Sequence, residues 1–228
     1  MKRYNMTLNE MLAVIAILGI LAGILLPTLN YARSRGKQTT CLNNQGQSIK
    51  MILDGISRTT EPKNQLIAAD SETGNKKYWT TSLYDRNILQ TLEAVRCPEL
   101  VYSNQDITSA AQRKQAFGVV FSDTGKLDFR GKKLFRTTGT SPIDITASNL
   151  LIGGCTTVAA NNELAADAVL DFDDNKLVSV HRGKVNMFFF DGSVISVDEK
   201  EFSGNAFYYP ASDGSGAAKV ADGALKTL

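Results

Sequence analysis

Few side chains in this sequence have the types and spacing to do chemistry. His181, the sole histidine, stands ten residues before Asp191. An imidazole and a carboxylate can hold a metal or share a proton. Neither a second imidazole nor a nucleophile–base–acid set accompanies them, so catalysis is not expected. Asp191 and Gly192 lie between β-prone runs and are better explained by turn chemistry, which leaves His181 as a structural residue tying a loop to a hairpin. Cys41, Cys97 and Cys155 form no CxxC pair and no Cys/His cluster in the sequence, and no zinc site is expected of them. In an oxidising compartment three cysteines give one pair and one left over; the other possibility is three buried thiols. Asp171-Phe-Asp-Asp-Asn175 and Asp213-Gly-Ser-Gly216 offer hard oxygen ligands, so calcium is a candidate. Neither stretch has the EF-hand spacing with its closing Glu, and no cofactor is expected.

The remaining reactive group is Glu10, set in an apolar stretch. Met11 to Leu26 is a run of sixteen residues without a polar side chain, or roughly 24 Å of helix. Extended to Leu8 and Leu29 it reaches roughly 33 Å, enough for a hydrocarbon core about 30 Å thick. Glu10 is then the one formal charge inside. A carboxylate costs about 2.5–3.5 kcal/mol at the bilayer centre and less near an interface. It therefore either rests hydrated at headgroup depth or finds a cationic partner when such helices pack. Lys2 and Arg3 give the basic start of a signal peptide, but no Ala-x-Ala-like cleavage site follows Leu26, which favours a retained membrane helix. Arg33, Arg35 and Lys37 at the other end leave orientation undecided by charge.

The elements that carry these residues can be read in order. Tyr31 to about Ile56 continues the helix, with Leu42, Ile49, Ile52, Leu53 and Ile56 on one face and Gln38, Asn44, Gln47, Ser48 and Lys50 largely elsewhere. Pro27 removes an internal hydrogen bond and can kink or locally melt the rod. Trp79 and Leu83 are expected to pack on the long helix, and Asn87 to Val95 fits a short helix. Strands are expected at Phe117–Phe121, at Asn149–Ile152 ending on Gly153-Gly154, and at Leu177–Val180. The strongest signal is a hairpin over 184–198 with Asp191-Gly192 as its turn, both residues tolerating positive φ. The fold class is thus α+β: a long N-terminal helix, membrane-spanning in its first half and amphipathic in its second, packed on a small antiparallel sheet. A net charge of +2 gives no footprint for nucleic acid.

Lys2-Arg3 and Met6-Thr-Leu-Asn-Glu10-Met-Leu-Ala-Val-Ile-Ala-Ile-Leu18 resemble the leader and first helix of type IV pilins and type II secretion pseudopilins. The resemblance implies a leader of residues 1–5 cut by the prepilin peptidase between Asn5 and Met6, and methylation of Met6. It also implies that the Glu10 carboxylate pairs with the Met6 ammonium of a neighbouring subunit. Asn5 stands where most members have Gly, and Met6 where most have Phe. Pro27 matches a proline the family often carries. Residues 6–30 would be the transmembrane half of the helix, 31–56 the amphipathic half and 57–228 the outer domain. The leader would face the cytoplasm and the outer domain the periplasm of a bacterial inner membrane. His181-Arg-Gly-Lys-Val-Asn-Met-Phe-Phe-Phe-Asp191-Gly192 is similar to the His-x9-Asp-Gly motif of one pseudopilin-like subgroup. Cys41 and Cys97 resemble positions where a subgroup carries cysteines, which implies a Cys41–Cys97 disulfide worth about 4 kcal/mol in the chain-entropy model.

The function so implied is structural rather than enzymatic: a pilin-like subunit that leaves membrane lipid for a helical fibre of itself or other pseudopilins, driven by an inner-membrane assembly platform. The alternative is a membrane-anchored envelope protein whose outer domain binds polysaccharide or another surface ligand, with Trp79, Tyr208 and Tyr209 as stacking surface. Cleavage at Asn5-Met6 separates the two, because a static tether needs neither the cut nor Glu10.

Overall fold

The structure, a computed structural model, describes residues 8–57, 68–69, 76–100, 102, 105–120, 150–158, 169–170, 175–202, 208–210, 217–219 and 225–226. Asn5, Met6, the turn expected at 123–125 and the acidic stretches at 171–174 and 213–216 lie outside the described residues. The chain divides into two compact units, Met1–Lys37 and Gln38–Leu228. Helix α1 (Leu8–Ser57) contributes to both.

From Met11 to Leu26, within the first unit, α1 is apolar around its whole circumference. Leu8, Ile15, Ile20, Ile24, Leu25 and Leu26 are all 60% or more exposed. A helix apolar on every side has no polar face to give to water and suits burial in a membrane or in a protein core. Length and composition suit it for crossing a membrane, as an anchor or as a signal sequence. Glu10 sits in its first turn. The helix passes through Pro27 without ending there, although proline has no N–H to give the Gly23 carbonyl. Thr28 Oγ1 donates to the Leu25 carbonyl at 2.8 Å beside it.

The second unit is α+β. After α1 come β1 (Ala68–Ala69), β2 (Lys76–Lys77), α2 (Trp79–Asp85), a 3-10 turn at Glu93–Val95 and α3 (Ala110–Arg113). Then follow β3 (Gly118–Val120), β4 (Leu151–Gly154), β5 (Thr156–Val158), β6 (Val169–Leu170), β7 (Asn175–Val178), β8 (Lys184–Phe189) and β9 (Val194–Asp198). The chain closes with α4 (Glu199–Phe202), β10 (Tyr208–Pro210), β11 (Ala217–Lys219) and β12 (Leu225–Lys226). The central sheet has the order β6-β3-β4-β8-β9. Of its five strands β3, β4, β8 and β9 run antiparallel to their neighbours in that row, while β6 joins β3 in parallel. A second sheet runs β12-β7-β5.

Alternation along the strands divides the core into two clusters. Phe188 and Ile152 pack with Ile49, Ile52, Trp79, Leu83, Leu92 and Phe117. Leu151, Val185, Met187 and Phe189 pack with Leu177 and Phe202. Covered on both faces, β8 reads as a nearly unbroken apolar run. Phe117 and Phe188 meet edge to face with centroids 6.4 Å apart, a geometry worth about 0.5–1.5 kcal/mol beyond area burial. Trp79 is wholly buried, and its Nε1–H donates to the Phe117 carbonyl at 3.1 Å. It is a core residue and offers no stacking surface, which removes the aromatic best suited to sugar capture.

Three expectations need correction. No helix forms over 87–95. Asn87 adopts a left-handed φ of 56° just after α2, which stops helical propagation, and Leu89, Leu92 and Val95 enter the core from an irregular segment with the 3-10 turn. Strand β4 does not end at Gly153-Gly154 but runs through them, because only glycine fits there. A Cβ on Gly153 would strike the Gly118 carbonyl and lie 2.6 Å from Phe188 Cζ, and one on Gly154 would lie 2.7 Å from the Asn186 carbonyl. Finally, the 184–198 hairpin closes by a three-residue loop, not a two-residue turn. Gly192 has a φ of 87° while Asp191 is not left-handed, and the Gly192 N–H donates to the Phe189 carbonyl at 3.0 Å. That is a turn followed by a glycine bulge, with Asp191 Oδ1 accepting from the Ser193 N–H at 2.9 Å.

Candidate metal centre

The three cysteines and the single histidine converge. One ligand atom each from Cys41, Cys97, Cys155 and His181 lies within 4.8 Å of every other, and all four residues are buried. The absence of a Cys/His cluster, expected from the sequence, is thus overturned: four separate elements supply the donors. The cysteines are free thiols, so the implied Cys41–Cys97 bridge is not formed, and Cys41 Sγ lies 3.3 Å from Cys155 Sγ. His181 Nε2 lies 3.2 Å from Cys97 Sγ and 4.0 Å from Cys155 Sγ. Asp191, expected to share a motif with His181, is not among these donors; it stays exposed in its turn.

Each donor is positioned by local chemistry. Cys41 comes from α1, whose buried face in the second unit is Gln38, Cys41, Gln45, Ser48, Ile49 and Ile52. This face differs from the expected stripe: Gln38 and Ser48 turn inward, while Leu42 and Leu53 are half-buried. The steps of three and four residues place Cys41, Gln45 and Ser48 in one row. Gln38 Nε2 donates to Ser196 Oγ on β9 at 2.9 Å. Asn44 Nδ2 donates to the carbonyls of Glu93 (2.8 Å) and Arg96 (2.9 Å), and Ser48 Oγ donates to that of Ala94 (3.0 Å). The helix thereby grips the turn that delivers Cys97.

Cys97 is held from its other side by Tyr102, whose hydroxyl accepts from the Cys97 N–H at 2.8 Å and donates to its carbonyl at 3.0 Å. The Arg96 guanidinium stacks 4.6 Å from the Tyr102 ring centroid and donates to the carbonyls of Gln112 and Gln115 at 2.8 Å each. Cys155 follows the two glycines that let β4 approach its neighbours, and its N–H donates to the Asn186 carbonyl at 3.3 Å. His181 opens a tight turn in which Arg182 and Gly183 both have positive φ, 56° and 74°. His181 and Lys184 exchange backbone hydrogen bonds across it, the pattern of a type I′ turn. The turn chemistry expected at Asp191-Gly192 therefore operates at Arg182-Gly183, where it aims the imidazole.

Two amides complete the surroundings. Gln45 Nε2 donates to Cys155 Sγ at 3.3 Å, to the Asn186 carbonyl at 3.1 Å and, more distantly, to Cys41 Sγ at 3.8 Å. Asn186 is wholly buried, and neither of its amide atoms has a hydrogen-bond partner; Gln45 Oε1 and His181 Nδ1 share that condition. Burial pushes the Cys41 and Cys155 thiols well up. Burial also raises Cys97, but hydrogen bonds from Cys155, Cys41 and His181, with the His181 charge, outweigh it and hold Cys97 below the thiol range. Chemically, the constellation can close a Cys41–Cys155 disulfide or coordinate a soft cation.

Compared with protein-family models, curated proteins and solved structures, the chain has no significant match.

Proposed function

We propose that this chain is a structural subunit, a pseudopilin or minor pilin, that assembles from the bacterial inner membrane into a type II secretion or type IV pilus-like fibre. The observation that carries the reading is the first unit of α1, whose apolar side chains are exposed all round and whose first turn holds Glu10. Lipid covers such a surface in the waiting state, and the same surface on neighbouring copies covers it in a fibre. The exchange is close to neutral for the leucines and isoleucines, since lipid tails are as apolar as they are. Glu10 gives it direction. After leader removal by the prepilin peptidase, its carboxylate meets the Met6 ammonium of a neighbouring subunit in low dielectric, where the attraction offsets part of the desolvation of both.

Intact mass spectrometry of the protein from its native membrane tests the processing: residues 1–5 absent and Met6 methylated is the expected result. Glu10→Leu is expected to insert in the membrane at the parental level and to be missing from crosslinked or sheared fibres. Retention of the first five residues, together with unchanged incorporation of Glu10→Leu, refutes the assembly reading and leaves a tether.

A further inference from the structure

We propose that Cys41, Cys97, Cys155 and His181 bind one zinc ion as a four-coordinate structural centre that fastens the second part of α1 to the sheet. This goes beyond fibre assembly and stands on the second unit alone.

The donor set is chemically specific. Three thiolates and one imidazole make a Cys3His set, which structural zinc uses in tetrahedral geometry. Zn–S bonds of about 2.3 Å and Zn–N bonds of about 2.0–2.1 Å give tetrahedral edges of about 3.8 Å between sulfurs and about 3.6 Å between nitrogen and sulfur. The observed separations of 3.2, 3.3 and 4.0 Å, with none beyond 4.8 Å, bracket those edges. A group this small encloses one ion. All four positions come from protein, which leaves no open site for a substrate, so the centre is structural rather than catalytic.

The surroundings point the same way. A disulfide needs two sulfurs and nothing more, yet Gln45, Asn186 and His181 bring polar atoms into the same buried spot, four of them without partners. Buried polar groups ordinarily find partners, so a polar spot of this kind inside the core marks a place built for something other than apolar packing. Zinc binding releases the thiol protons to solvent and leaves three thiolates and a neutral imidazole around a divalent cation, a net charge of −1. The Gln45 N–H already aimed at Cys155 Sγ, and more distantly at Cys41 Sγ, supports that negative charge, as outer-shell donors do in metal sites.

The test uses the full chain in detergent, purified from zinc-replete cells without chelator. Elemental analysis is expected to find stoichiometric zinc, and X-ray absorption a shell of three sulfurs and one nitrogen. After stripping, cobalt titration is expected to give the visible and charge-transfer bands of tetrahedral thiolate coordination. His181→Ala should lose the metal, whereas His181→Cys should keep it with a four-sulfur shell. Should either variant fail to fold, the absorption spectrum of the unaltered chain decides. The proposal is overturned by a chain that carries no stoichiometric zinc and takes no cobalt into thiolate coordination. A Cys41–Cys155 disulfide in a non-reducing peptide map, or a zinc shell without sulfur, overturns it as well. None of these readouts depends on fibre formation.

Discussion

Gly153→Ala probes the close approach of β4 to its neighbours. The added methyl has nowhere to go: it meets the Gly118 carbonyl of β3 on one side and the Phe188 ring 2.6 Å away on the other. A ring edge can tilt, but a backbone carbonyl locked in a strand pair cannot. The strand pairs Gly153 with Val119 and with Phe188, so relief must separate β4 from β3 or β8. Overpacking a core costs about 1–3 kcal/mol, and a backbone obstacle places this case near the top, about 3 kcal/mol. At about 2–4 °C per kcal/mol for a domain of this size, the midpoint falls by about 6–12 °C.

Trp79, the single tryptophan, lies wholly buried in the same core cluster as Phe188 and reports unfolding by its fluorescence in the full chain. Gly46→Ala is the control. Its methyl meets nothing closer than Val194 Cγ2 at 3.8 Å, and the helix gains up to about 1 kcal/mol from the propensity difference. The two substitutions add the same atoms and are expected to move the midpoint in opposite directions. A Gly153→Ala midpoint within about 2 °C of the parent, against the shift expected from overpacking, refutes the argument that these strands close only on glycine.

Two further outcomes follow from the contacts. Asn44→Ala removes two hydrogen bonds to the Glu93 and Arg96 carbonyls. It should cost about 1–2 kcal/mol, read as a lower urea midpoint at unchanged slope; an unchanged midpoint shows that the grip on the Cys97 turn is incidental. The Asp106 carboxyl is held below the usual range because Thr108 donates to it from both hydroxyl and backbone N–H, at 2.7 and 2.9 Å. A depressed carboxylate stabilises above its unfolded pKa, near about 3.9, and that contribution is lost as pH falls through the folded value. Asp106→Asn should therefore flatten the acid limb of a stability–pH curve slightly, and an unchanged limb refutes the assignment.

Elements that carry their own signal are legible in the sequence. The apolar run of α1 and the β8–β9 hairpin are local patterns. The turn inside that hairpin was misjudged because Asp-Gly fits both a two-residue turn and a three-residue loop with a glycine bulge. Arg182-Gly183, where both residues take positive φ, carried no such dipeptide signal. The buried face of α1 was misjudged because weighting by hydrophobicity selected Leu42 and Leu53, whereas Gln38, Gln45 and Ser48 are inside, making hydrogen bonds. The Cys/His cluster was illegible for a different reason. Metal-site patterns rely on ligands paired a few residues apart, and here each donor stands alone on its own segment. Two clues were present: Gly153-Gly154 directly before Cys155, and the row Cys41, Gln45, Ser48 at helical spacing.

The dispersal of those four donors has a kinetic consequence. Cys41 and Cys155 are 114 residues apart in the chain, and Cys97 and His181 are 84 apart. Contacts between such distant points form only after the loops between them have been closed, which is slow and entropically costly. The constellation therefore assembles late, when helix, 3-10 turn, glycine strand and type I′ turn have all reached their places. A chain folded in part offers its sulfurs singly or in pairs, so the four together mark a finished domain.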